Sequence, residues 1–406
     1  MFINSKSSQH LRVSISIFLI LFMMLSLISP NIVYGAAATA KLSEIKGEVF
    51  VKKAGGQKEL KAVEGMLVSQ GDWIRTGQDS SVMIVYENGT ETVLAANTQI
   101  TINTLTADSQ GTQSSIKLWA GNVWNKVKSL LNIRDEYEVE TPTAVIGVRG
   151  TLYLVTIDPL TGETRVEVVE GVVAGQENTE RVGTGQEYLV TMGEQLSYDT
   201  SFAAPPAKQA IELQRLVEEV EPRILAKIML DITERVNEII QQAQNAQSAY
   251  DQTQDVGQIQ NALALARRGT ELAQFAESFV SELMASEKAA SVDEVLQEQN
   301  TDLNSLSDEV KTSSENAQKT ETEVRDTAGE VLTEDQIEDI LAGAVTSTTP
   351  PTGTSNPPTP SGPPAPPTPP SGGNDEGDDE PATPIPSNST ISISSATFDK
   401  KAGQQA

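Results

Sequence analysis

Hydrophobic and polar positions follow two different periods along this chain, and the change between them falls near residue 205. From Lys41 to Ser197, short runs of Val, Ile, Leu and Thr alternate with polar residues, the period-two signature of half-buried strands. "SSVMIVYENGTETVLA" is two such runs around Asn88-Gly89, which predicts a hairpin with positive φ at both turn positions. "TLYLVTIDPLTGETRVEVVEGVVAG" predicts a longer hairpin, turning at Asp158, Pro159 and Gly162. With "TQITINTLT", "SSIKLWAGNVWNKV" and "QEYLVTMGEQLSY", these runs predict an all-β domain over residues 41–200, built as a twisted sandwich, roll or solenoid.

After Pro205-Pro206 the period lengthens. Leu213, Leu216, Val217, Val220, Ile224, Ile228, Ile232, Val236 and Ile239 recur at spacings of three and four, one apolar face of a helix. Pro222 falls inside that face and predicts a kink or break. Leu272, Phe275, Phe279 and Leu283 make a second face. A more polar stretch follows, anchored only at Leu296, Leu303, Leu306 and Val310. The expectation for 205–345 is an α-helical hairpin or coiled-coil region, able to self-associate. The change of texture predicts that 36–200 folds alone and that 201–345 is a separate helical unit.

Both ends read differently again. Lys6 and Arg12 precede the unbroken apolar run Val13–Ser29, and "NIVYGAAA" follows with small residues suited to cleavage. That order predicts a secretory signal peptide over residues 1–38. The alternative, a retained membrane anchor, is disfavoured by the short run. At the other end, 14 of the 20 prolines lie between Pro350 and Pro386, which predicts a disordered, Pro-rich acidic linker over 346–388. "GGNDEGDDE" within it lacks the ligand spacing of a calcium loop. Residues 389–406 read as the truncated start of a further β module.

Composition narrows the chemistry. The chain has no Cys, and its one His is His10, inside the signal segment. The expected mature chain therefore lacks thiol nucleophiles, disulfides and His-based acid–base chemistry, and no cofactor or metal is implied. The net charge is −27, and residues 201–345 alone hold 28 Asp/Glu against 11 Lys/Arg. That acidity argues against nucleic acid and against anionic membrane surfaces, apart from the signal segment if it is uncleaved.

The most distinctive stretch is "TPTAVIGVRGT", Thr141–Thr151. Pro142 cannot donate a ladder hydrogen bond and marks a strand boundary. Thr141, Thr143 and Thr151 are suited to bonding nearby backbone. Gly147 and Gly150 bracket Val148-Arg149 and admit backbone angles that other residues avoid. Arg149 predicts an ion pair, with Glu170 or Glu140 as partner; the alternative is a ligand-binding arginine.

"VETPTAVIGVRGTLYLVT", followed by "TRVEVVEGVVAG", resembles the FecR domain family, and "VSQGDWIRTGQDSSVMIVYENGTETVLAANTQITI" is similar to that family's N-terminal half. The resemblance rests on Thr141, Pro142, Thr143, Ala144, Gly147, Arg149, Gly150, Thr151, Glu170 and Gly171, and spans about Ala62 to Val190. Name-giving members are sensors of iron-citrate uptake that carry an anti-sigma segment and a transmembrane helix before the domain. This chain shows a signal peptide there instead. "ISISSATFDKKAGQQA" resembles the opening of an immunoglobulin-like module of bacterial carbohydrate-active surface proteins, with Ser394 where proline is usual. That implies a Gram-positive exterior.

The expected function is a secreted, non-catalytic envelope interaction or scaffold protein, with an unknown envelope protein or polysaccharide as partner. The alternative is an extracellular sensor acting for a membrane partner. An enzyme using paired carboxylates such as Asp135/Glu136 or Glu138/Glu140 ranks third.

Overall fold

The computed structural model describes residues 38–108, 111–128, 135–148, 150–178, 186–202 and 204–344. The predicted signal peptide, Pro-rich linker and further β module, together with Arg149, lie outside the described residues. The described part carries seventeen strands followed by six helices.

The strands form two sheets that share one long strand. The inner sheet contains β1 (Ala40–Lys46), β4 (Leu67–Val68), β6 (Ser81–Tyr86), β7 (Glu91–Leu94), β12 (Leu152–Ile157), β13 (Thr164–Glu170), β16 (Glu194–Tyr198) and β17 (Ala207–Ala210). The outer sheet contains β2 (Val49–Lys52), β3 (Glu59–Lys61), β5 (Trp73–Thr76), β8 (Gln99–Asp108), β10 (Glu136–Glu140), β11 (Ala144–Val148), β14 (Val172–Glu177) and β15 (Tyr188–Thr191). The shared strand is β9 (Gly111–Lys126). Its first half pairs with β8 and β10 in the outer sheet, and its second half pairs with β7 and β12 in the inner one. The inner order is β4-β1-β6-β7-β9-β12-β13-β16-β17, antiparallel throughout. The outer order is β3-β2-β5-β8-β9-β10-β11-β14-β15, with β9–β10 its parallel pair.

The bend that lets β9 serve both sheets is at Gly121, φ +90. A Cβ there would stand 2.6 Å from the Thr98 Cα, so the two chains meet backbone to backbone. The inward alternate residues of both sheets fill the sandwich, including Leu42, Val51, Ile74, Ile84, Ile102, Ile116, Tyr137, Ile146, Tyr153 and Val168. This is the predicted all-β domain, in its sandwich form.

The hairpin at Asn88-Gly89 forms, with one correction. Only Gly89 has positive φ (+80). Asn88 instead accepts the Thr90 N–H at 2.9 Å through its side chain, and the Gly89 N–H closes the turn on the Tyr86 carbonyl. A three-residue loop with a bulge needs one left-handed residue rather than two. A second correction concerns residues 207–210. They form β17, an exposed edge strand on β16, before the first helix begins.

The helices are α1 (Leu213–Glu219), α2 (Pro222–Thr253), α3 (Val256–Ala285), α4 (Ala289–Gln297), α5 (Leu303–Gly329) and α6 (Glu334–Ala344). Of the kink or break expected at Pro222, the break is present: α1 ends at Glu219, Val220 and Glu221 are extended, and Pro222 opens α2, where a missing N–H costs nothing. The predicted apolar faces are buried, Leu213 and Phe275 partly so, and α5 is held by Leu303, Leu306, Val310, Ala317 and Val324.

The helical region is not separate from the sandwich. Met83, Val93, Ala95, Trp124, Leu152, Leu154 and Val169 on the far face of the inner sheet join one hydrophobic cluster with the helices. Sheet, sheet and helices are three layers of one compact unit. The inner sheet is therefore buried on both faces, and "SVMIVY" in β6 reads as a nearly continuous buried run for that reason.

Candidate functional site

The motif corner is built from β10, β11 and the loop between them. Register Glu140↔Val145 leaves Thr141–Ala144 as a tight turn. The Thr141 hydroxyl stands in for a backbone carbonyl there. It accepts the Ala144 N–H at 2.8 Å and donates to the Ala144 carbonyl at 3.1 Å. That frees the Thr141 carbonyl to accept from the Asn178 side chain at 2.7 Å. Thr143 donates to Thr164 at 2.6 Å, and Thr164 donates to Thr141 at 2.9 Å. Three buried hydroxyls, two in the turn and one on β13, thus satisfy one another, which ties β13 to the corner. Pro142 sits in the turn, where no donor is needed, and Ala144 is fully buried beneath it.

The two glycines differ. Gly150 has φ +79, as expected of a corner. Gly147 does not: it lies within β11, paired with Glu138 and Ala174. A Cβ there would meet only the Ala174 carbonyl, at 3.9 Å. The residue whose backbone demands glycine is Gly171, φ +92, where a Cβ would fall 2.6 Å from the Thr151 Cγ2 and 2.9 Å from the Gly150 carbonyl. Gly171 carries the chain from β13 in the inner sheet to β14 in the outer one. Thr151 is buried against it, and its carbonyl accepts the Val127 N–H at 2.9 Å.

Glu170 and Glu140, the sequence candidates for Arg149, are both engaged by other groups. Glu140 pairs with Lys117 at 2.5 Å. Glu170, only 1% exposed, is held from the helical side: by Arg268 of α3 on one oxygen, and by Arg235 of α2 at 3.3 Å on the other. Burial pulls the Arg268 guanidinium down to about 10, still charged at neutral pH.

Glu170 is one part of a buried polar seam between the inner sheet and α1 to α3. Asp231 of α2, 1% exposed, accepts the Trp124 indole N–H at 2.7 Å and pairs with Lys126 at 3.2 Å and Lys227 at 3.0 Å. Burial opposes the Lys227 charge, but Asp231 and Glu91 overcome it and push the amine above its usual range. Glu221 at the start of α2 accepts the Ala96 N–H at 2.9 Å. Arg165 pairs with Glu167 on its own strand and with Glu219 of α1. Burial raises the Glu167 carboxyl to about 6 despite Arg165 and Arg215 beside it. A cleft of about 460 Å³ opens beside Glu170, lined by Lys126, Lys128, Arg235, Glu238, Gln241 and Gln242 among others.

The seam was missed in the sequence, although it left a signal. Asp231 stands in "IMLDIT" and Arg268 in "LALARRGTELA", charges set in the apolar stripes of α2 and α3. Among the described residues, no group of three or more His, Cys, Asp or Glu is arranged to hold a metal ion. No described helix is long and apolar enough to cross a membrane. Of the paired carboxylates, Asp135 caps the Thr112 N–H at 2.8 Å. Glu138 is half-buried, and burial with Glu136 and Glu140 beside it raises its carboxyl.

Residues 72–174 match the family described as FecR protein. The match runs from β5 into β14 and takes in the motif corner, Glu170 and Gly171. The flanking strands of the FecR-like sandwich and all six helices lie outside it. Two crystal structures, at 1.65 and 2.50 Å, of a protein from Parabacteroides distasonis ATCC 8503 to which an anti-sigma-factor role is ascribed share 17% identity with the chain, at a TM-score of 0.29. The alignment covers 36% of this chain, and the chain spans 62% of theirs. No curated protein matches the chain.

Proposed function

We propose that the chain is a secreted, non-catalytic interaction protein of the cell envelope, built on a FecR-like sandwich backed by helices. The observation that carries this reading is where the polar groups of the family motif go. Thr141, Thr143 and Thr164 satisfy one another and the turn, and Glu170 is taken by two helix arginines. Groups committed in this way hold a fold together rather than attack a substrate. An envelope protein or polysaccharide is the proposed partner, and no cofactor is invoked. The test is retention of solubilised envelope fractions on the immobilised full chain, with turnover of any retained component measured alongside. Specific retention without turnover supports the reading; turnover overturns it.

A sensor reading is favoured by one contact. Glu170 belongs to the family motif, yet its partners Arg235 and Arg268 lie on α2 and α3. A ligand that shifts the motif corner would act on the helices through one carboxylate. Hydrogen exchange separates the readings. A sensor changes exchange in α2 and α3 when ligand binds the sandwich; a scaffold gains protection only at the contact surface.

A further inference from the structure

The outer sheet turns one face to the sandwich core and the other to solvent, and the solvent face is unusual for an acidic chain. Cross-strand register lines up Lys52, Trp73, Thr101, Lys117 and Glu140 as a single row over five adjacent strands, β2, β5, β8, β9 and β10. Trp119, two positions beyond Lys117 on β9, shares that face, is 45% exposed and donates its indole N–H to Thr101 at 3.0 Å. Trp73 is paired directly with the same threonine. Phe50 and Arg75 face each other in the next row.

Each ring has a cation over it: Lys52 over Trp73 at 5.3 Å, Lys117 over Trp119 at 4.7 Å and Arg75 over Phe50 at 4.2 Å. Two of those cations are neutralised, Arg75 by Glu59 at 2.6 Å and Lys117 by Glu140 at 2.5 Å. The centre of the face is thus close to neutral, although the chain carries −27. Trp73 is partly buried and Trp119 exposed, and neither belongs to the core; indoles grouped on the solvent side of a sheet mark a binding face.

We propose that this face is a binding platform for an uncharged polysaccharide, which the two tryptophans grip by stacking on the C–H faces of successive pyranose rings. Charge selects that class. A polyanion would meet Glu136 and Glu138, exposed or half-exposed on β10, at one side of the row. A basic peptide would meet Lys52, which has no carboxylate partner among the described residues. An uncharged sugar chain meets neither. Geometry fits as well. β5 and β9 are two strands apart, which sets the backbones of the two tryptophans about 10 Å apart across the strands, the scale of a disaccharide. Lysine over an exposed ring is a weak, flexible cover. A sugar ring displaces it, and the ammonium then donates to sugar oxygens beside Thr101.

This inference rests on the interaction-protein reading and specifies its partner. The test titrates the full chain with cellohexaose and chitohexaose, reading tryptophan fluorescence and calorimetry. Trp124 is buried with its indole N–H on Asp231, so a sugar-dependent emission shift comes from Trp73 and Trp119. The proposal expects saturable binding to at least one hexasaccharide. It expects Trp73→Ala and Trp119→Ala each to weaken that binding at least tenfold, with unchanged melting temperature. Leu160→Ala, at the exposed turn after β12, should bind as wild type. Absence of binding, or binding indifferent to both tryptophan substitutions, overturns it. If the full chain and a variant carrying both Trp73→Ala and Trp119→Ala retain the same envelope protein instead, the platform is wrong while the interaction reading stands. If neither sugar nor envelope component is retained, both fall.

Discussion

At neutral pH the Glu167 carboxylate weakens the fold that contains it. It is buried where the inner sheet meets α1, and burial raises it from 4.5 to about 6 against the pull of Arg165 and Arg215, with Glu219 opposing them. A raised carboxylate binds its proton more tightly in the folded state. Its contribution to stability is complete below about 4.5 and is lost as the pH rises through about 6. Glutamine imitates the protonated form, and Arg165 keeps Glu219 as partner. Glu167→Gln should therefore stabilise the protein at neutral pH by about 2 kcal/mol, and the gain should vanish below about pH 4.5. Urea unfolding of both proteins across that range checks it. Glycine gives a second prediction at this scale. Gly171→Ala should cost at least about 1–2 kcal/mol, because a left-handed backbone and a Cβ clash coincide. Gly147→Ala should change the melting temperature little, within about 0.5 kcal/mol. A reversed order of the two melting temperatures would refute the assignment of Gly171 as the crossing point. Sequence alone marks all three motif glycines as special. It does not say which of them turns the chain, because a glycine in a strand and a glycine at a crossing look alike until the register is known.

Elements were more legible than their junctions. The hairpin β6–β7, the hairpin β12–β13, the apolar faces of α2 and α3, and the anchors Leu303, Leu306 and Val310 all stand where periodicity puts them. Periodicity reports one buried face per element. It is silent about β17, whose four residues are all exposed and which is strand only because β16 offers it an edge. It is equally silent about the bend at Gly121, which depends on Thr98 in another strand. The seam between inner sheet and helices shows only as misplaced charge, such as Asp231 in an apolar stripe. That charge gives the prediction proper to elements. Asp231→Ala leaves the Trp124 indole N–H and the two lysines without their shared acceptor, and should cost about 3–5 kcal/mol in denaturant unfolding. Asp231→Asn keeps a neutral acceptor for the indole and should cost less. Equal stability of Asp231→Ala and wild type would show that the seam does not bind the layers.

At the scale of the whole molecule, the texture break near residue 205 marks a change of secondary structure, not a boundary of the core. The inner sheet places Met83, Val93, Trp124, Leu152 and Leu154 under the helices. Fully burying side chains of this kind is worth about 1.5–3 kcal/mol each, so stripping the helices exposes surface the sheet depends on. A fragment of residues 36–200 should accordingly melt well below the full chain and bind a hydrophobic dye, rather than fold alone at full stability. FecR-like sandwich and helices are one body, joined through Glu170, Asp231 and a shared apolar cluster. The test is thermal unfolding of the full chain, followed at once by far-ultraviolet ellipticity for the helices and by tryptophan emission, to which Trp73 and Trp119 on the outer sheet contribute beside Trp124 at the junction. A single transition with coincident midpoints for the two probes is expected. Two separated transitions, with the helices melting while the sandwich persists, would show two bodies instead of one.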